Sequence, residues 1–416
     1  MTLRSESLHQ SAAVGGGIAP RGETGPRVPQ WALILVFLAL IASVPLVQLI
    51  VESVRGDRPG ALDVFNEKPT AVHLRAYEKN LESASVVAEH LRPWIQFAQF
   101  NWLRDGGDKA LIGRDGWVFY KPGFDSVLMS RFDQGETART NDPLPAIVRF
   151  RDDLATQGIQ LLIIVAPDKE SVYPDMLSRT LNLAHVESPL TRDLFERLQG
   201  SHVEVVNLFK LFAEAREDLA SGKAPLYLAQ DSHWSPRGVQ LAAQSVARRL
   251  LDLGWVNAGS AEYGDQPKPV KRTGDVLQML QAPVIERHTE PEVVPCVQVV
   301  SLPDHHLYKD SPKSEVLVLG DSFLRIYQQD DPGSAGFIAH LAKELKQPLA
   351  SIVSDGGAST LVRQELHRRA SLLNGRKVVI WEFVERDIRL GTEGWQVIPL
   401  HHRAAANGHE KPPGQL

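Results

Sequence analysis

The stretch Glu315-Val-Leu-Val-Leu-Gly-Asp-Ser-Phe323 sets four consecutive apolar residues, Val316 to Leu319, directly before a glycine. Such a run of valine and leucine, stopped by Gly320, reads as a strand buried on both faces. Asp321, Ser322 and Phe323 then fall just past its carboxyl end, where open α/β sheets place ligands and reactive groups. Taken alone, the Gly-Asp-Ser step fits equally well an ordinary strand-to-loop turn with a capping serine.

Outward from this strand, the chain repeats the same grammar. Gln160–Ala166, Val203–Leu208, Val293–Val300, Leu349–Val353 and Lys377–Val384 are apolar runs of strand length. Segments of helical spacing lie between them: Pro143 to Gly158, Leu190–Leu198, a stretch from Leu211, and a helix from Ser235-Pro236 to Gly254. Ser235 can cap that last helix, with Pro236 at its first position. Further helices are expected over Ala335–Leu345 and up to about Leu373. Alternating strands and helices predict an α/β fold with a mainly parallel sheet and helices on both faces. Before this region, Ala110–Tyr120 carries Asp115-Gly116 between two apolar runs, a hairpin signal. Residues 70–92 have helical spacing and should stop before Pro93. Residues 255–292 show little periodicity and read as a long excursion from the sheet.

The 416 residues suffice for one large or two ordinary domains, and 43% hydrophobic with 23% charged residues supports a substantial core. A net charge of −5 carries no basic excess, which argues against nucleic acid as a partner. The single cysteine, Cys296, excludes an internal disulfide and any cysteine-based metal cluster. Residues 1–30, rich in Gly, Ser, Pro and Arg, read as a disordered tail, and residues 404–416 as a loose C-terminal one. Residues 31–51 are almost wholly apolar and uncharged, long enough to cross a bilayer as an uncleaved signal anchor. Arg4, Arg21 and Arg27 before the span nearly balance Arg55, Arg58 and Lys68 after it, so charge alone does not orient it.

A serine past a strand needs a base to take its proton. The candidate is His233 in Asp231-Ser-His-Trp234, whose acid and imidazole, two apart, point to one side of an extended segment. Asp231 can then fix the tautomer of His233 and leave its other nitrogen to serve Ser322, a Ser-His-Asp triad. The pair also fits a helix cap with an incidental histidine, or two ligands of a metal, though no further cluster has a recognisable ligand spacing. Gly356 and Gly357, in the loop Ser354–Ser359, are candidate oxyanion donors together with the Ser322 amide; a plain glycine turn fits that loop as well. Arg325, one helical turn past Ser322, and Trp234 are candidate substrate contacts, the first against a solvent-facing role and the second against core packing. Arg386 faces the same choice as Arg325. Lys169 is expected to pair with an acid without a catalytic role, and Cys296 to be buried and inert.

Five blocks occur in an order that resembles one family: Gly113-Arg-Asp-Gly-Trp-Val-Phe119, Ala166-Pro-Asp-Lys169 with Tyr173-Pro174, Asp231-Ser-His-Trp234, Gly320-Asp-Ser-Phe323 and Trp381-Glu-Phe-Val-Glu-Arg386. They resemble the AlgJ/AlgX family, alginate O-acetyltransferase-like proteins with an SGNH-hydrolase-like domain, here spanning residues 65–390. The resemblance implies that Asp231 and His233 supply acid and base and Ser322 the nucleophile. The pair precedes the serine, reversing the usual SGNH order, as in this family. With an anchor, and no carbohydrate-binding module after Val384, the chain looks closer to the membrane-anchored AlgJ branch. The family implies a periplasmic domain held at the inner membrane that acetylates an exopolysaccharide, alginate or similar. It also implies an acetyl donor relayed by a multispanning membrane acyltransferase. No nucleotide-binding glycine motif appears, and no cofactor is expected. A polysaccharide acetylesterase with the same triad, or a non-catalytic anchored scaffold, are the alternatives.

Overall fold

A computed structural model of the chain describes residues 29–65, 68, 70–128, 141–178, 186–216, 222–302, 304–390 and 394–400. The tails expected over 1–30 and 404–416 lie outside these, Pro29 and Gln30 excepted. The chain divides into two compact units, Met1–Arg92 and Pro93–Leu416.

In the first unit, Gln30–Arg55 is one helix, and from Trp31 onward it is long and apolar enough to cross a membrane. Its polar interruption Gln48 is buried: its Nε2 donates to the Ala84 carbonyl at 2.9 Å and its Oε1 accepts from the Val86 amide at 2.9 Å. That amide side chain spans the break between the helices Ala71–Ala84 and Val86–Ala98. The helical region therefore breaks at Ser85, not before Pro93, which lies inside the second helix. A proline within a helix leaves the carbonyl four residues back unpaired, and Glu89 is solvent-exposed, so water can take that bond.

The second unit is organised on five strands: β4 Gln160–Ala166, β5 Glu204–Asn207, β10 Val316–Gly320, β11 Ala350–Val353 and β12 Val378–Val384. They form a wholly parallel sheet of order β11-β10-β12-β4-β5. Residues alternate along each strand between two cores. Leu162, Ile164, Val316, Val318, Val378 and Ile380 pack on one face, against the helices Pro236–Asp252 and Phe337–Leu345. Leu161, Ile163, Leu317, Leu319, Val379 and Trp381 pack on the other, against Pro143–Ala155, Pro189–Gly200 and Leu361–Arg368. Burial on both sides is why these strands read as unbroken apolar runs. The connection from β4 runs outward to β5 and that from β10 runs outward to β11, with β12 between them. Ends of parallel strands diverging in this way leave a crevice at their carboxyl edge.

Smaller strands frame that edge. β1 Asp105–Gly106, β2 Ala110–Ile112 and β3 Val118–Tyr120 form an antiparallel sheet. The β2–β3 turn holds Asp115 at φ 52° and Gly116 at φ 81°, the left-handed conformations that turn chemistry supplies. The excursion after the long helix contains β6 Tyr263–Pro267, β7 Val270–Arg272, β8 Glu292–Val294 and β9 Val297–Ser301. The single strand expected over Val293–Val300 is thus two. β8 pairs with β7 and β9 with β6, and Pro295, without an amide hydrogen, separates them.

Candidate active site

Ser322 begins a short helix, Ser322–Arg325, immediately past β10. The turn is tight because Gly320 leaves room: a Cβ there would lie 2.4 Å from both Glu382 Oε2 and a Leu324 methyl. Asp321 is buried, and its Oδ1 accepts from the Phe323 amide at 2.8 Å, capping the helix. The serine hydroxyl is thereby set at the edge of the sheet, half-buried, facing a cavity of about 760 Å³.

His233 reaches it from a loop 89 residues earlier, with Nε2 2.8 Å from Ser322 Oγ. Its Nδ1 lies 2.7 Å from Asp231 Oδ1, and that same oxygen accepts the His233 amide at 3.0 Å. The three residues singled out in sequence therefore meet in the geometry of a nucleophile, a base and the acid that orients it. Asp231 is fully buried and Oδ2 carries a charged partner, Arg272 Nε, at 2.8 Å. Burial alone would raise the Asp231 pKa, but His233 and Arg272 hold it well below the usual carboxylate range. For His233, burial works against the charged form, yet the Asp231 and Asp275 carboxylates outweigh it and raise the imidazole to about 9.

Long-range contacts hold the base loop in place. Lys169, buried after β4, donates its ammonium hydrogens to the carbonyls of Val118 at 2.6 Å, Ala229 at 2.7 Å and Asp231 at 3.0 Å. Among the described residues it forms no direct ion pair of the kind expected of it. Burial lowers its pKa to about 8, with nearby acids, Glu170 foremost, working the other way. Glu292 at the start of β8 accepts the amides of Ala229 and Gln230, both at 2.8 Å. Neither Arg272 nor Asp275 was expected at the site. Their one local signal is Arg272-Thr-Gly-Asp275, within a stretch that has no periodicity.

The remaining candidates separate. Trp234 is not a sugar platform: it is fully buried, stacked on Phe337 at 5.8 Å, with Nε1 donating to the Phe323 carbonyl at 3.1 Å. It ties the base loop to the nucleophile helix from inside the core. Gly357 is buried and its amide donates to the Ser354 carbonyl at 3.1 Å, so that N–H is committed within the loop and is not an oxyanion donor. Gly356 is exposed, at φ 62°, on the cavity wall. Arg325 also lines the cavity, but its guanidinium is engaged, with Nε 2.7 Å from Asp355 and Nη1 on Asp330. It braces the Gly356 loop against the nucleophile helix. Arg386, at the end of β12, reaches the same cavity, bonded to Asp168 at 2.6 Å and lying over the Phe323 ring at 5.6 Å. Cys296 is buried between β8 and β9, its thiol pushed up to about 12 by burial.

Asp231, His233 and Asp275 form a group whose ligand atoms lie within 4.8 Å of one another, as a cation site would require. The Arg272 guanidinium already occupies Asp231 Oδ2, Asp231 Oδ1 faces Nδ1 of His233, and the amide and hydroxyl of Ser232 occupy the two oxygens of Asp275. A donor set so satisfied is that of an acid–base relay rather than a metal centre.

Comparisons with known proteins converge on this region. The family described as SGNH hydrolase-like domain, acetyltransferase AlgX, matches residues 110–385. A probable alginate O-acetylase AlgJ of Pseudomonas fluorescens is 24% identical over 306 residues, covering 72% of each chain. The Pseudomonas putida protein of the same name is 26% identical over 306 residues, covering 69% of this chain and 72% of its own. Among solved structures, the O-acetyltransferase domain of Pseudomonas putida AlgJ superposes with a TM-score of 0.53 at 20% identity, over 68% of this chain and 92% of that one.

Proposed function

We propose, for a chain that belongs to the AlgX family of SGNH hydrolase-like acetyltransferase domains, that Ser322 carries the acetyl group between donor and acceptor. The single observation that carries this reading is the 2.8 Å approach of His233 Nε2 to Ser322 Oγ, with Asp231 on the far nitrogen. In the first half-reaction the Ser322 oxygen attacks the donor's acetyl carbonyl as its proton passes to His233. The carbonyl oxygen takes up the negative charge against the Ser322 amide, which lies at a helix start, and the exposed amide of Gly356. Collapse breaks the bond to the leaving group, which takes the proton from His233 and leaves acetyl-Ser322. In the second, a sugar hydroxyl gives its proton to His233, attacks the acetyl carbon, and Ser322 leaves and recovers that proton.

The acceptor in this reading is a hydroxyl of an exopolysaccharide, alginate or a similar polymer, as the names of the relatives suggest. Arg386, on the cavity wall with its guanidinium paired to Asp168, would be its contact there, while Arg325 would hold the Gly356 loop that bounds the cavity. The apolar helix from Trp31 would hold the enzyme at the inner membrane with its domain in the periplasm. There a multispanning membrane acyltransferase could hand it the acetyl group.

The test is mass spectrometry of the full chain in detergent after exposure to an activated acetyl ester. One acetyl group on Ser322, discharged to an added oligosaccharide, is expected. Acetate released without acetylated sugar would mark an esterase, and an unmodified Ser322 with acetylation intact would mark a scaffold.

A further inference from the structure

His233 faces two carboxylates. Nδ1 is 2.7 Å from Asp231 Oδ1 and 3.3 Å from Asp275 Oδ2. Asp275 belongs to the non-periodic excursion, 42 positions further along the chain than His233, yet it is built into the base loop at several points. Its Oδ1 accepts the Ser232 amide at 2.6 Å, its Oδ2 accepts the Ser232 hydroxyl at 2.6 Å, and its own amide donates to Asp231 Oδ2 at 3.3 Å. Gly274 makes the approach possible: a Cβ there would stand 1.9 Å from the Gln230 carbonyl oxygen.

The charge balance shows what the second carboxylate is for. Arg272 sits 2.8 Å from Asp231, so the orienting acid is already half of an ion pair before the imidazole charges. A carboxylate neutralised by a guanidinium steadies an imidazolium less than a free one does. Among the described residues no Lys or Arg pairs with Asp275, and its side chain is 18% exposed at the cavity edge.

We propose that Asp275 is a second positioning acid for His233, supplying the negative charge that the Arg272 pair withdraws from Asp231. This rests on the reading of His233 as the base. Asp231 fixes the direction of the ring, while Asp275 sustains the imidazolium that forms in each half-reaction. Asp321, which caps the helix of Ser322, also acts on the ring, and the cavity wall it shares carries Arg325, Asp330, Asp331 and Asp355, Arg386 and Asp387 past β12, and Lys271 on β7. Lys169 approaches from behind, through the Asp231 carbonyl. With both acids in place, the base titrates near 9, so the neutral form needed to take the serine proton grows as pH rises toward that value.

The experiment uses the full chain in detergent with Asp275→Asn, which keeps an oxygen for the Ser232 amide. Two readouts are taken: the NMR titration of the His233 ring and the pH profile of acetyl-Ser322 formation. Removing a negative charge disfavours the imidazolium, so both should move to lower pH by on the order of one unit. Above the limb, the acetylation rate should fall by about tenfold, since a weaker base pulls the proton less strongly. Asp275→Ser, which also removes the charge while keeping an oxygen, should produce the same downward shift, and decides the matter if Asp275→Asn does not fold. A His233 titration unmoved in the folded variants overturns the proposal. His233→Gln tests the underlying reading separately: acetylation that survives it removes His233 as the base, whatever Asp275 does.

Discussion

Ser322 stands at the end of a strand flanked in the sheet by apolar runs, whereas His233 stands on a loop held by Lys169, Arg272, Asp275 and Glu292 from other parts of the chain. The first half of the site is rigid because the sheet is. Gly320, Asp321 and Phe323 complete it within a few residues of the serine. The second half is polar and assembled from a distance, so its precision depends on buried hydrogen bonds with few alternatives. A nucleophile needs only to be presented. A base must also be charged and discharged in place, and that requires counter-charges a strand end does not carry.

The widest effect expected from this contrast is on chemistry. Ser322→Ala and His233→Gln should each lower acetyl transfer by roughly a thousandfold or more, and the double variant should be no worse than either, because the pair acts as one unit. Additive losses in a kinetic cycle would separate the two residues and break the comparison. Next, Lys169→Met should leave three buried or part-buried carbonyls without their donor. The expected cost is on the order of 3 kcal/mol in denaturant unfolding, with no rescue by Lys169→Arg, whose fork does not fit the same three oxygens. A stability change near zero would show that the base loop holds itself.

Arg272→Gln should have a smaller effect. Asp231 keeps a hydrogen-bond donor and loses its cation, so the imidazolium is held more firmly: the limb should move to higher pH by about one unit and acetylation below it fall by roughly tenfold, about 1.4 kcal/mol, with KM for the oligosaccharide little changed. A rise in KM alone would move Arg272 from the base to the acceptor. Smallest is Trp234→Phe, which removes the bond to the Phe323 carbonyl but keeps the stacking on Phe337. About 1 kcal/mol of stability should go, at unchanged KM, because the ring touches no solvent. A KM effect would put the ring back among the sugar contacts.

Sequence legibility followed the same divide. The parallel sheet could be read because each strand buries both faces and so writes itself as a continuous apolar run; Gln160–Ala166 falls on the strand residue for residue. The strand expected over Val293–Val300 failed because two short strands on either side of Pro295 share that apolar character while pairing with different partners. Pro93 misled because a helix can run through a proline where the freed carbonyl, here that of exposed Glu89, reaches water. Trp234 stayed open between sugar contact and core packing because an aromatic beside a histidine has the same letters whether it faces the cavity or the core. Gly357 looked like an oxyanion donor because a glycine pair does not say which amide the loop itself consumes.

Apolar periodicity, turn residues and five short blocks were enough to determine an α/β domain behind an apolar helix, and to single out Asp231, His233 and Ser322. Those features are local: a strand, a turn or an Asp-x-His pair is written in neighbouring residues. Tertiary structure alone decided which charges surround the imidazole. Arg272, Asp275 and Lys169 lie 39, 42 and 64 positions from His233. No periodicity marks them, because their partners are backbone carbonyls, a carboxylate and an imidazole that only the fold brings within 3.3 Å. Electrostatic contacts fall off with distance in space and have no period along the chain, so they become visible only when the chain is folded.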